Sequence, residues 1–158
     1  GNNDGSAQAA RETRAIAGWF ESDRDPNTKL NHWGREIFPE CAYNTLMERK
    51  RRYGNIPIYV TENGHGCYDV ADENGFVEDD ERIEFLSNYL HYILKAKQDG
   101  VNVKGYYVWS TMDLYSWING YKKRYGLVRV DYDDPARKRT PKKSYYWYKQ
   151  FIQDHQDL

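Results

Sequence analysis

The strongest constraint on the fold is a helical pattern that lies between two strand patterns. β-Branched and aromatic residues predict a short buried strand at residues 56–61 and a second strand at residues 103–110. A strand, a crossover helix and a strand form a βαβ unit whose two strands are parallel, so the sequence predicts an α/β fold. Between the strands, residues 80–99 place one face of side chains at helical spacing: Ile83, Leu86, Leu90, Ile93, Leu94 and Lys97.

Less regular segments precede this unit. Residues 1–30 are mostly small and polar, which predicts a loosely structured leader or a long loop. A helix is predicted over residues 39–53, because proline suits a first helical turn, and Gly54 is predicted to end it. Asp79 or Asp80 can cap the start of the central helix.

Shorter elements follow the second strand. Residues 127–132 predict a short extra strand. Pro141 is predicted to begin a last helix that continues through Ile152. Between these elements and the second strand lies a long loop rich in aromatic residues.

Composition argues against several classes of protein. Lys and Arg number 23 against 24 Asp and Glu, so there is no broad basic surface for a nucleic-acid backbone. No run approaches the roughly 18 apolar residues of a membrane span, and residues 1–6 do not resemble a signal peptide. Cys41 and Cys67 are too few for a disulfide framework. We expect free thiols in the cytoplasm and no nucleic-acid or membrane partner.

A carboxylate stands where the first predicted strand ends. In α/β folds the site lies at the carboxyl ends of the parallel strands. Glu62 follows the strand directly and precedes Asn63 and Gly64, where the chain must turn. It could serve as a nucleophile or general base, or it could be a solvated glutamate in a turn.

The loop after the second strand offers two kinds of chemistry. Its aromatic residues could form a stacking platform for a sugar ring or a buried satellite core, and the residues alone favour neither. Its hydroxyl and cationic groups could clamp a phosphate, or they could form an ordinary solvated turn. The aromatic set is Trp109, Tyr115, Trp117, Tyr121 and Tyr125, and the polar set is Ser116, Lys123, Arg124 and Tyr125.

The sequence predicts neither a metal site nor a cofactor. His32, His65, His91 and His155 have no spacing typical of metal ligands. Cys67 has no evident histidine partner, so we expect it to be a bystander.

Several segments resemble one enzyme family, in its order along the chain. Residues 58–64, Ile-Tyr-Val-Thr-Glu-Asn-Gly, resemble the nucleophile motif of glycoside hydrolase family 1, which contains β-glucosidases and phospho-β-glycosidases. Residues 79–86 resemble the helix start after that motif, and residues 105–113 resemble the eighth strand. Residues 120–132 and 141–148 resemble the segments beyond.

This resemblance implies a fold and a reaction. Residues 1–158 would be a partial catalytic domain, namely strands seven and eight of a (β/α)8 TIM barrel with their helices. Glu62 would be the nucleophile of a retaining glycosidase, which forms a covalent glycosyl-enzyme that water then hydrolyses. Trp109 and Trp117 would line the subsite for the sugar.

One departure from the β-glucosidase pattern concerns substrate choice. β-Glucosidases of the family carry Glu immediately before the second tryptophan, where this chain has Ser116. The phospho-β-glycosidase branch has Ser there, Lys seven positions on and Tyr nine positions on, and Lys123 and Tyr125 match. A carboxylate about 4 Å from a phosphate charge would cost on the order of 4 kcal/mol at an effective dielectric of about 20. The resemblance thus implies a 6-phospho-β-glycoside, either a phosphorylated disaccharide or an aryl β-glycoside.

Alternatives stay open at this point. An unphosphorylated β-glucoside is one, and gluco or galacto configuration is undecided, although Trp117 resembles the 6-phospho-β-galactosidase side. The acid/base Glu of the family lies in an Asn-Glu-Pro segment that these 158 residues lack, so the remainder of the barrel is an expected partner. The other alternative is a truncated, non-catalytic fragment, whose two strands would expose open edges.

Overall fold

The computed structural model describes residues 19, 26–117 and 119–156. Contacts divide the chain into two units, Gly1–Phe38 and Pro39–Leu158. In the first unit, Leu30 pairs with Glu36 around a turn, and the Asn31 side chain accepts backbone hydrogen bonds within that turn. Of the leader predicted for residues 1–30, residues 1–18 and 20–25 lie outside the described residues.

The second unit begins with helix α1, Glu40–Tyr53. Pro39 is its N-cap residue, and Gly54 follows it with a φ of 75°, a conformation that glycine adopts at little cost. The predicted helix and its end are confirmed. No described helix is long and apolar enough to cross a bilayer.

The βαβ unit is present as predicted. Strand β1, Ile58–Asn63, pairs in parallel with strand β2, Val103–Val108, and helix α2, Asp80–Gln98, connects them. β1 begins two residues later than predicted and includes Glu62.

The prediction that the first strand is buried is wrong for the described residues. Tyr59 is 54% exposed, and Thr61 and Glu62 are exposed as well. The reason is that β1 has one neighbouring strand among the described residues, whereas a central strand of a parallel sheet is covered on both sides.

Helix α2 packs its predicted apolar face into two clusters. Ile93 and Ala96 join Leu46 of α1 and Val103 of β2. The second cluster joins α2 to the last helix through Leu86, Leu90, Leu127 and the rings of Tyr145, Tyr148 and Phe151.

The predicted carboxylate cap of α2 is absent. Asp79 occupies the N-cap position but makes no side-chain hydrogen bond to the helix N-terminus, and neither Asp79 nor Asp80 caps it. The Asp79 carboxylate is only 5% exposed and instead accepts hydrogen bonds from the Ser144 backbone at 2.8 Å and from Arg82. Because Arg82 and the backbone of Ser144 bind the Asp79 carboxylate, it does not cap α2.

The last elements differ from the prediction at Pro141. Strand β3, Val128–Val130, confirms the predicted extra strand in part and pairs antiparallel with β4, Arg139–Pro141. Pro141 therefore ends a strand, which an edge position tolerates, and helix α3 runs over Lys143–Asp154. The helix starts late because the Lys142 backbone, still extended, donates to the Leu127 carbonyl at 2.9 Å.

Candidate active site

Glu62 lies at the carboxyl end of the parallel pair. It is the penultimate residue of β1 and is exposed. Two hydrogen bonds fix Asn63, the last residue of the strand. The Trp109 backbone N–H donates to the Asn63 carbonyl at 2.8 Å, and the Tyr106 hydroxyl donates to the Asn63 side-chain oxygen at 2.7 Å. β1 thus presents the Glu62 carboxylate from a rigid support.

Trp109 is brought close to this strand end. Gly64 packs so tightly on the Trp109 carbonyl that any Cβ at this position would overlap it. The peptide bond between Trp109 and Ser110 is cis, and the indole is 41% exposed. The backbone contacts therefore place Trp109 beside the turn that follows Glu62.

Lys123 is buried rather than solvated. Cys67 and Arg124 pair through two backbone hydrogen bonds of 2.9 and 3.1 Å, which join the loop after β1 to the segment 123–125. The Lys123 side chain is only 6% exposed, whereas neighbouring Lys122 is exposed. The solvated-turn interpretation is therefore wrong for Lys123.

Gly66 makes room for Lys123 and Tyr125. A Cβ on Gly66 would lie 2.7 Å from Lys123 Cγ and 3.0 Å from Tyr125 Cε1. The Lys123 ammonium lies 5.6 Å from the centre of the Tyr125 ring, within range of a cation–π interaction. The structure thus brings two of the predicted phosphate-binding residues together, both packed against Gly66 of the loop that follows Glu62.

Ser116 and Trp117 lie in a separate tight turn. Ser116 and Gly120 exchange backbone hydrogen bonds of 2.9 and 2.7 Å, and the Ser116 hydroxyl accepts from the backbone and side chain of Asn119 at 3.3 Å. Trp117 is 95% exposed. The turn therefore orders the Ser116 hydroxyl and leaves the Trp117 side chain at the surface.

The aromatic residues of this loop are not a buried satellite core. Tyr115 and Tyr121 are 57% and 52% exposed, and their rings meet edge to face at 5.1 Å. Tyr121 also contacts Tyr132, over which the Arg124 guanidinium lies at 4.3 Å. Arg124 is thereby engaged in packing and donates to the Val130 carbonyl at 3.0 Å, so it is a weaker candidate for phosphate than Lys123.

A buried ion network supports the loops and was missed by the sequence analysis. The fully buried Lys142 ammonium contacts Asp69 and lies 2.7 Å from Asp113. Asp113 in turn accepts from the backbone N–H of Gly126 at 3.0 Å. Fully buried Arg82 binds both Asp79 and Asp69.

One signal for this network exists in the sequence. Arg82 lies four residues before Leu86 and eight before Leu90, so it occupies the apolar face of α2. A cation on that face predicts a buried carboxylate partner.

Cys67 does have a histidine neighbour, contrary to the prediction. His65 Nε2 lies 2.7 Å from Glu81 Oε1, and the ligand atoms of His65, Cys67 and Glu81 all lie within 4.8 Å of one another. The loop folds back on the start of α2, a contact that spacing along the chain does not reveal. Burial raises the pKa of the Cys67 thiol to about 12, so it is not a ready nucleophile.

Comparisons with known proteins identify the family of this chain. The sequence profile of Glycosyl hydrolase family 1 matches residues 2–157. The chain belongs to glycosyl hydrolase family 1. Over 140 residues it is 43% identical to a 6-phospho-beta-galactosidase of Staphylococcus epidermidis, covering 87% of this chain and 29% of that protein. Over 118 residues it is 49% identical to a 6-phospho-beta-galactosidase of Leptotrichia buccalis, covering 74% of this chain and 25% of that protein.

A solved family 1 structure also resembles the chain. The family 1 b-glucosidase from Thermotoga maritima, in complex with isofagomine lactam, matches with a TM-score of 0.78 and 40% sequence identity. The match covers 84% of this chain and 30% of that chain. The described residues thus have the fold of part of a family 1 glycosidase, and the chain spans less than a third of the length of these relatives.

The ion network predicts a large effect of removing Lys142. In the intact protein, Lys142→Met should lower the free energy of unfolding by about 3–5 kcal/mol, because it removes the buried ammonium that pairs with both Asp69 and Asp113. Exposed Lys149 provides the matched control, and Lys149→Met should change stability by less than about 0.5 kcal/mol. Urea unfolding measures both, and equal stabilities of the two variants would refute this role of Lys142.

Proposed function

We propose that the protein is a retaining glycosidase that hydrolyses 6-phospho-β-glycosides with Glu62 as nucleophile. The observation that carries the proposal is the burial of Lys123, which packs beside Tyr125 and against Gly66 of the loop that follows Glu62. A cation held near the end of a catalytic strand is suited to a substrate that carries a phosphate.

The proposed fold places β1 and β2 as strands seven and eight of a (β/α)8 barrel. The match to a family 1 β-glucosidase supports this assignment. An apolar groove of about 420 Å³ beside β2 also supports it, since the remainder of the barrel would cover that groove. Its walls include Leu90, Ile93, Val103, Tyr106 and Phe151.

The proposed reaction has two steps. The Glu62 carboxylate attacks the anomeric carbon and forms an ester bond as the glycosidic C–O bond breaks. A second carboxyl group, supplied by the remainder of the barrel, protonates the departing oxygen. Water, deprotonated by that same group, then attacks the anomeric carbon and releases the sugar with retained configuration and Glu62 restored.

The proposed phosphate site consists of Ser116, Lys123 and Tyr125. Unit charges about 4 Å apart attract by on the order of 4 kcal/mol at an effective dielectric of about 20, and burial strengthens this attraction. Because packing against Gly66 and Tyr125 already orders Lys123, little side-chain freedom is lost when phosphate binds. Ser116 accepts hydrogen bonds from Asn119, and a hydroxyl that accepts can still donate its proton.

The sugar that we propose has the galacto configuration. Relatives that are 43% and 49% identical are named 6-phospho-beta-galactosidase, and Trp117 is also typical of that side of the family. Trp109 and Trp117 are the proposed sugar-stacking residues, and the exposure of both indoles leaves their faces accessible. The 40% identical β-glucosidase structure supports the alternative of an unphosphorylated sugar.

We also propose that the protein resides in the cytoplasm. Both cysteines are free thiols, which supports a reducing compartment.

Substrate preference tests the phosphate site. The intact protein should hydrolyse an aryl β-galactoside 6-phosphate with a kcat/KM at least about 30-fold above that for the unphosphorylated galactoside, which corresponds to about 2 kcal/mol. Lys123→Ala should reduce this preference mainly by raising KM, because the lost binding is shared by ground and transition states. Lys122→Ala, one residue away and exposed, is the control.

Equal rates on both sugars would refute the phosphate site. A preference for the phosphorylated sugar that survives Lys123→Ala unchanged would refute the role of Lys123.

Substitution of Glu62 tests the reaction itself. Glu62→Gln should lower kcat by more than about 1,000-fold, because an amide cannot form the glycosyl-enzyme, while substrate affinity changes little. Steady-state kinetics and titration calorimetry measure the two quantities. Glu73→Gln, an exposed glutamate in the loop after β1, should keep full activity. Turnover retained in Glu62→Gln would contradict the proposed nucleophile.

A further inference from the structure

Three potential metal ligands meet where the loop that follows Glu62 contacts the first turn of α2. The donor atoms of His65, Cys67 and Glu81 lie within 4.8 Å of one another. His65 and Cys67 are 1% and 4% exposed. Glu81, in the first turn of α2, is partly exposed and lies 2.7 Å from His65 Nε2.

The positions of two of these donors are fixed by packing. The His65 ring stacks on Phe85 with a centroid distance of 4.8 Å, and the His65 carbonyl accepts from Arg82 Nε at 3.2 Å. Cys67 is held by its backbone pairing with Arg124. The third donor, Glu81, is on the solvent side and can adjust by side-chain rotation.

Charged groups surround the sulfur, and most of them are already paired with one another. The groups that act on Cys67 are one guanidinium, Arg82, and three carboxylates, Asp69, Asp79 and Glu81. Arg82 is itself paired with Asp69 and Asp79, so its charge is offset locally. A divalent ion would be neutralised by the Cys67 thiolate and the Glu81 carboxylate, with His65 as a neutral ligand.

We propose that His65, Cys67 and Glu81 bind a divalent transition-metal ion such as Zn²⁺. Thiolate, imidazole and carboxylate are its usual ligands, at about 2.0–2.3 Å, which separates neighbouring ligand atoms by roughly 3.5 Å. Rotation of Glu81 away from His65 would lengthen their 2.7 Å separation toward that value. Water would occupy the fourth position.

Binding involves a proton balance. A thiol must release its proton to bind the metal as a thiolate. The metal–sulfur bond forms as the S–H bond breaks, and the proton leaves to solvent by way of Glu81 or water. The bound ion would tie the loop that follows β1 to the first turn of α2, independently of any glycosidase activity.

Cobalt provides a direct test, because thiolate ligation to Co²⁺ gives a charge-transfer band in the near ultraviolet. The intact protein, freed of metal with a chelator, should bind one Co²⁺ that produces this band and that Zn²⁺ displaces. Cys67→Ser should abolish the band. Glu81→Gln, which affects a partly exposed side chain, should weaken Zn²⁺ binding at least about tenfold, since even indirect partners of a metal change affinity by roughly 10–100-fold.

Matched controls exist for each ligand. Cys41→Ser, His91→Gln and Glu84→Gln alter the same residue types outside the cluster and should leave the band and the affinity unchanged. Circular dichroism shows whether each variant is folded. Absence of the band in the folded wild-type protein, or a band that persists in Cys67→Ser, would overturn the proposal.

Discussion

Two buried cations hold the candidate site together. Lys142 and Arg82 are both fully buried, and removing such charges from water costs several kcal/mol each unless partners compensate. Asp69 forms ion pairs with both cations. Asp113 pairs with Lys142, and Asp79 pairs with Arg82. The loop after β1, the loop after β2 and the residue that precedes α3 therefore meet around one set of charges, and a shift of any of them would break at least one buried ion pair.

The position of Lys123 follows from this arrangement. Asp113 accepts from the Gly126 backbone, and the Cys67–Arg124 pairing joins the same segment to the loop after β1. Lys123 directly precedes Arg124 and packs over Gly66, where a methyl group would collide with it. The Lys123 side chain is thus positioned by backbone contacts and close packing against the loop that follows β1, and its place does not depend on a substrate.

Local patterns predicted the elements well. The apolar periodicity of residues 80–99 and the two β-rich runs identified the βαβ unit, because these signals depend on neighbours in the sequence. Pro141 was misassigned because the Lys142 backbone pairs with Leu127, a contact that no local propensity reports. Asp79 failed as a cap for a similar reason, since Ser144 lies 65 residues away.

The site was only partly predictable. Family motifs predict roles for Glu62, Lys123 and Tyr125, whereas the contact of Lys142 with Asp69 spans 73 residues and has no periodicity to reveal it. His65, Cys67 and Glu81 likewise meet only after the loop folds back on α2. Patterns along the chain report which faces are buried, but not which charges and ligands meet across loops.

The central claim is that Glu62 reacts with a sugar whose phosphate is held near Lys123. The most direct measurement is mass spectrometry of the intact protein after reaction with a 2-deoxy-2-fluoro β-galactoside 6-phosphate that has a good leaving group, which slows release of the glycosyl-enzyme. Our account predicts one covalent adduct, on the peptide that contains Glu62, formed much faster than with the unphosphorylated reagent. An adduct on a different carboxylate, or equal labelling by both reagents, would contradict it.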